Sequence, residues 1–221
     1  MIISFRRAFL FVKTRKTGGS SVQMALSAVC GDEDIIVCDQ LNRNLDKAFS
    51  RNPHASLRQI KFAIPDASWR SFFKFVFVRN PWDLVVSRYH WERKGRDCSV
   101  ADFRRWLRTY VDPGPAEPER NAQSNLVQPV WETGGGYLRD LQSPYVLEEG
   151  EIGADFIGRY ETLSRDFASV CDRLGFPQLP LPHLKSGFRQ DPSYRDAYDD
   201  ESRSFVAEAF AEDSERFGFP F

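Results

Sequence analysis

Residues 13 to 21 of this chain read Lys-Thr-Arg-Lys-Thr-Gly-Gly-Ser-Ser. Lys13, Arg15 and Lys16 supply full positive charges, Thr17, Ser20 and Ser21 supply hydroxyl donors, and Gly18 and Gly19 permit a turn tight enough to aim backbone N–H groups at one point. A short apolar run, Ala8 to Val12, precedes the turn, and Val22, Ala25, Leu26 and Val29 recur at helical spacing after it. Strand, turn and helix N-terminus in succession make a receptor for an anion, and a phosphate or sulfate ester is the guest that this chemistry implies. The ATP-binding pattern G-x-x-x-x-G-K-[ST] is not met: Lys16 precedes the glycines, and no Gly-Lys-Ser/Thr triplet occurs in the chain.

A second anion site is readable at Arg79-Asn-Pro-Trp-Asp-Leu-Val-Val-Ser87, which follows the strand-like run Lys74-Phe-Val-Phe-Val78. Asn80 suits a helix N-cap, Pro81 the first helical position and Asp83 the acid of a capping box, which leaves Arg79 at the strand end beside a helix N-terminus. Ser87, about two turns into that helix, can bond the anion that Arg79 pairs. Three histidines, His54, His90 and His183, are the groups that titrate near neutral pH and hence the candidates for a general base.

The elements that must hold these residues are those of one α/β domain of 221 residues. Asp34 to Cys38 reads as a further strand and Val100 to Tyr110 as a helix; Leu163, Phe167, Val170 and Leu174 read as a helix that Gly175 can end, and Val206, Phe210 and Phe217 as the apolar stripe of a last helix. The architecture this implies is three-layered and P-loop-NTPase-like, with a mainly parallel central sheet flanked by helices and the anion sites at the strand C-terminal ends. The proline- and glycine-bearing region 111–136 is left as a candidate for the acceptor side.

Composition narrows the function further. A net charge of −1 argues against a nucleic-acid protein recognised by bulk charge, yet residues 1 to 20 hold five Lys/Arg and no acid, while Asp191 to Arg216 holds nine acids and three arginines. Cys30, Cys38, Cys98 and Cys171 show no C-x-x-C pair and no metal-ligand spacing, so they read as free thiols in a reducing compartment, with no metal site. No run approaches the ~18 apolar residues of a membrane span, and a cytoplasmic protein is the expectation.

Lys16-Thr-Gly-Gly-Ser-Ser21 after a strand resembles the 5′-phosphosulfate loop of sulfotransferases that use 3′-phosphoadenosine 5′-phosphosulfate (PAPS), and Arg79 with Ser87 resembles their 3′-phosphate pattern. Asp155-Phe-Ile-Gly-Arg-Tyr-Glu-Thr-Leu-Ser-Arg-Asp-Phe167 and Leu181-Pro-His-Leu-Lys-Ser186 resemble later segments of the same family, in its carbohydrate-type, bacterial-like form. Three departures stand out: Arg15 where the family often has proline, Leu84 where it often has arginine, and no asparagine between Leu184 and Lys185.

The resemblance implies transfer of the PAPS sulfonate to a hydroxyl acceptor, a carbohydrate being the family-level expectation, with PAP as product and no metal required. Lys16 would stabilise the leaving group with Lys13 as helper, and His54, in the place of the family's base histidine, would take the acceptor proton. Arg15, Thr17, Gly18, Gly19, Ser20, Ser21, Arg79, Ser87, Lys185 and Ser186 would bind the nucleotide. The competing readings are a non-catalytic PAP- or PAPS-binding protein and an ATP-dependent kinase.

Overall fold

The computed structural model describes residues 1–37, 42–43, 52–94, 99–111, 136–184, 187, 189 and 193–221. Lys185 and Ser186, the strand end at Cys38, the thiol of Cys98 and all of the 111–136 region except its two ends lie outside the described residues. In chain order the elements are β1 (Ile2–Ser4), β2 (Phe9–Val12), α1 (Gly19–Ser27), β3 (Ile35–Val37), β4 (Asn42–Arg43), α2 (Leu57–Ala63), α3 (Asp66–Ser71), β5 (Phe73–Val78), α4 (Pro81–Glu92), α5 (Val100–Val111), β6 (Leu147–Glu148), β7 (Glu151–Ile152), β8 (Phe156–Arg159), α6 (Leu163–Arg173), α7 (Asp200–Ala209) and α8 (Ala211–Phe217). The chain divides into two compact units, Met1–Val78 with Pro144–Leu184, and Arg79–Ser143 with Lys185–Phe221.

The first unit holds a six-stranded sheet of order β4-β3-β1-β2-β5-β8. β2 pairs in parallel with β5, and β5 with β8. β1 runs antiparallel to both its neighbours, so β2, β3, β5 and β8 share one direction while β1 and β4 oppose it. The fold is α/β with a mainly parallel sheet, as the strand and helix patterns imply. The antiparallel β1 is an addition: Ile2, Ile3 and Ser4 are too short a run to announce a strand, yet all three are fully buried because β2 and β3 flank them.

Strand residues two apart share a face, and here that face is aromatic. Phe9 and Phe11 of β2 meet Phe75 of β5, and Phe11 also meets Phe77 edge-on at 6.3 Å. Val22, Ala25 and Leu26 of α1 and Phe167, Val170 and Cys171 of α6 close over this layer, so the helical spacings read from the sequence are core faces. Gly175, at φ 66, ends α6 in a left-handed turn that L side chains adopt reluctantly.

In the second unit α4, α5 and α7 bury Trp82, Tyr89, Phe103, Leu107, Val206 and Phe210 together. The expected single last helix is two, α7 and α8, because Phe210 leaves helical geometry at φ −113, ψ 26 while keeping its ring in the core.

Gly158 of β8 lies directly across from Phe77, and a Cβ there would stand 2.4 Å from the Phe77 ring. Gly158→Ala is therefore expected to overpack the aromatic layer and cost about 1–3 kcal/mol in urea unfolding. An unchanged midpoint would mean that the ring moves aside freely.

Candidate active site

In the first unit the chain leaves β2 at Val12 and reaches α1 through the basic turn. Thr14 sits beneath it: its hydroxyl donates to the Phe77 carbonyl at 2.5 Å and lies 2.9 Å from Thr17 Oγ1. Thr17, expected to offer its hydroxyl to a ligand, is buried and engaged with Thr14, so that hydroxyl braces the turn. The turn itself needs its glycines. Gly18 has φ 75, and a Cβ on it would come within 2.6 Å of Leu163; a Cβ on Gly19 would come within 2.8 Å of the Lys13 side chain. Lys16 also takes the left-handed region, at φ 60, which holds this lysine in a backbone conformation that costs energy and so must be imposed by its surroundings.

Gly18 caps α1 without a side-chain hydrogen bond, and no acid stands in the first turn. The positive end of α1 thus has no side-chain compensation of its own, as an anion receptor requires. Ser20 is half-buried at the second position of α1. Ser21, one residue further, is buried, and its hydroxyl oxygen accepts from the Leu184 amide at 3.2 Å, which fixes the segment that leads to Lys185 against α1.

Lys13, expected as the helper of Lys16, is buried. Its ammonium donates to Gln23 Oε1 at 3.0 Å, and Gln23 donates in turn to the Met1 and Val37 carbonyls at 3.0 and 2.7 Å. Its main-chain oxygen has a different partner: His54 Nδ1, 2.7 Å away. Because a carbonyl can only accept, Nδ1 carries the proton, and the neutral ring keeps its lone pair on Nε2. Burial holds His54 well below its ordinary pKa and the Arg15 charge lowers it further, against the opposing effect of the Lys13 hydrogen bond. At neutral pH His54 is therefore uncharged. His183 is exposed.

The second unit carries Arg79. Asn80 caps α4 as expected, accepting from the amides of Trp82 and Asp83 at 3.0 and 3.5 Å. The capping box does not form. The Asp83 carboxylate binds Arg79 Nε at 2.7 Å and Arg189 Nη1 at 2.5 Å, since two guanidiniums are stronger partners for a carboxylate than one backbone amide. Burial pushes Asp83 upward, but the two arginines outweigh it and leave its pKa below the ordinary carboxylate range. Asp83 thus bridges two guanidiniums at this helix N-terminus. Ser87 stands one turn beyond Asp83 on the same face of α4, and His90 follows on that stripe, its pKa lowered by burial and by Arg189.

Three residues of this second cluster escape sequence reasoning. Arg189 lies in a loop with no helical or strand pattern to point at it. Gln142 clamps Arg79 at both ends of its peptide: Oε1 accepts from the Arg79 amide at 2.7 Å and Nε2 donates to the Arg79 carbonyl at 2.9 Å. Asp213, fully buried on α8, accepts from the amides of Gln142 and Ser143, both at 2.8 Å. No local pattern announces contacts that span 63 to 71 residues of chain. Among the described residues no three His, Cys, Asp or Glu gather as metal ligands, and no helix is long and apolar enough to cross a membrane.

Asp83→Asn is expected to destabilise the protein by about 3 kcal/mol at neutral pH, the lower end for breaking a buried ion pair. The sign with pH follows from the depressed pKa. The Asp83 contribution is complete above the ordinary carboxylate range and is lost as pH falls through the depressed value. The gap between the wild-type and Asn proteins should thus narrow on acidification, which urea titrations at a series of pH values would measure; a constant gap would remove the charge pair as its cause.

Comparison with known proteins places these two clusters in context. Over 108 residues, 48% of this chain and 71% of the other, the sequence is 29% identical to an uncharacterized protein of Archaeoglobus fulgidus. The crystal structure of a sulfotransferase from Alicyclobacillus acidocaldarius aligns with a TM-score of 0.49 at 20% identity, covering 98% of this chain and 97% of that one. The model of the sulfotransferase family matches residues 1–220, and with a match of that extent, carrying both the glycine turn and the Arg79 helix, the chain belongs to the sulfotransferase family.

Proposed function

We propose that the protein transfers the sulfonate of PAPS to a hydroxyl of a carbohydrate acceptor, with Lys16 on the leaving phosphate and His54 on the acceptor. The observation that carries this reading is the His54 ring, bound through Nδ1 to the Lys13 carbonyl and thus presenting a neutral Nε2 beside a basic glycine turn. A group that is to accept a proton from an alcohol must be unprotonated at working pH, and the lowered pKa of His54 supports that part. PAPS use is general in the sulfotransferase family. The uncapped α1 N-terminus and the close approach that Gly18 and Gly19 permit fit a 5′-phosphosulfate, and Arg79, Arg189 and Ser87 fit a 3′-phosphate.

The chemistry assigned to the chain is in-line displacement. The acceptor oxygen forms a bond to sulfur as the bond from sulfur to the 5′-phosphate oxygen breaks, His54 Nε2 takes the acceptor proton, and Lys16 neutralises the charge that appears on the departing phosphate. Lys13 acts by position: its carbonyl orients His54, and its side chain fills the space beside Gly19. Arg15, Thr17, Ser20 and Ser21 complete the turn, and Lys185 and Ser186 belong to the same reading as nucleotide ligands.

Two measurements test it. Calorimetry with PAP in the presence of chelator is expected to show binding, and Arg79→Ala should weaken that binding by about 1.5–3 kcal/mol while barely changing the affinity for adenosine 5′-phosphosulfate, which has no 3′-phosphate. Equal losses for both ligands would remove the 3′-phosphate assignment. His54→Ala should lose about 10²–10⁴ in kcat at unchanged PAPS affinity. The wild-type acid limb should lie below the ordinary histidine range, because the His54 pKa is depressed, and should vanish in the mutant. Near-normal turnover in His54→Ala would move the base elsewhere.

A further inference from the structure

The three cations of the basic turn are not used alike. Lys13 gives its ammonium to Gln23, and Lys16 carries the leaving-group part of the reading above. Arg15 is different. Its Nε is buried and has no hydrogen-bond partner, and among the described residues its guanidinium enters no ion pair. Arg15 as a whole is half-buried, but a buried N–H ordinarily has an acceptor, and among the described residues its Nε has none.

The place of Arg15 follows from its neighbours. It stands two residues after Lys13, whose carbonyl holds the His54 ring at 2.7 Å. Its charge is felt at that ring, second only to burial among the influences on His54. That influence puts Arg15 in the neighbourhood of the group assigned to the acceptor, while the reading above gives the α1 N-terminus, the loop amides and Lys16 to the donor.

We propose that Arg15 binds an anionic group on the acceptor, a carboxylate on the same sugar as the reacting hydroxyl or on its neighbour, and so selects charged acceptors over neutral ones. This rests on the sulfotransferase reading and names the acceptor class for it. The planar guanidinium fork matches a carboxylate through two parallel hydrogen bonds, a geometry that a neutral hydroxyl cannot reproduce. The anion that satisfies Arg15 could also come from the donor's phosphosulfate, and the experiment must separate the two sources.

The protein saturated with PAP is titrated with methyl β-D-glucuronide and, separately, with methyl β-D-glucoside, and binding is followed by ligand-observed NMR; the same pair is then compared as acceptors by kcat/KM with PAPS. The wild-type protein should prefer the glucuronide by about 10-fold or more, the usual worth of a charge-assisted hydrogen bond. Arg15→Gln should bring the ratio near one, and Arg15→Lys, which keeps the charge without the fork, should fall between. Equal binding of both probes, no binding of the glucuronide, or an unchanged preference in Arg15→Gln overturns the proposal. So does a loss of PAPS affinity in Arg15→Gln with the acceptor ratio intact, which would give Arg15 to the donor. Failure of the wild-type protein to bind PAP would overturn the sulfotransferase reading itself, whereas PAP binding without charge preference overturns only the acceptor assignment.

Discussion

The hydrogen bond between His54 Nδ1 and the Lys13 carbonyl joins the basic turn to the segment that precedes α2 in the first unit. A backbone carbonyl in a turn is a fixed acceptor, so it sets the tautomer of the ring as well as its orientation. The carbonyl is fixed only because the turn is. Thr14 ties the turn to β5 through the Phe77 carbonyl, Thr17 ties it to Thr14, and Gly18 and Gly19 leave room for Leu163 and for the Lys13 stem. Lys13 serves through both its ends, its ammonium anchored on Gln23 inside the protein and its main chain on His54. Much of the loop that reads as ligand-binding chemistry in the sequence is thus scaffolding, with the reactive part left to fewer atoms.

The second unit meets a different constraint, the burial of a guanidinium. Arg79 is buried, and an unpaired buried cation would be costly, so Asp83 shares its carboxylate between Arg79 and Arg189. One carboxylate held by two guanidiniums offsets part of the cost of burying these charges. Gln142 fixes the Arg79 peptide from both sides, and Asp213 fixes Gln142, so the main chain cannot shift when the side chain changes partner. Burial raises the Asp213 pKa even though two amides donate to it, a sign of how dry this supporting layer is.

What the sequence revealed of all this was its local part. The strand, glycine turn and helix of residues 9–27, the Asn80 cap with Pro81 behind it, and the apolar stripe of α6 each follow from neighbours within one or two turns, where spacing and residue type suffice. The strand β1, the clamp of Gln142 and the support of Asp213 depend on partners far along the chain, and their residue types are unremarkable in isolation. Asp83 shows the middle case. Its position three residues after the cap fits a capping box, and the local rule loses because Arg189, 106 residues away, offers a stronger contact.

Under the proposed reading, the electrostatics of His54 set a limit on how the acceptor side can work. Burial and Arg15 keep the ring neutral, which guarantees the base form at every pH near neutrality, but a depressed pKa also makes the ring a weaker proton acceptor. A neutral acceptor would meet that weaker base unaided. An acceptor that brings its own negative charge to Arg15 would cancel one cause of the depression at the moment of binding and strengthen the base only in the complex where the proton is to be taken. The same charge would remain without effect in the free protein, so the ring stays deprotonated while it waits. A base tuned this way gains basicity from its substrate, and the proline common in the resembling loops, having no charge, could not provide that coupling.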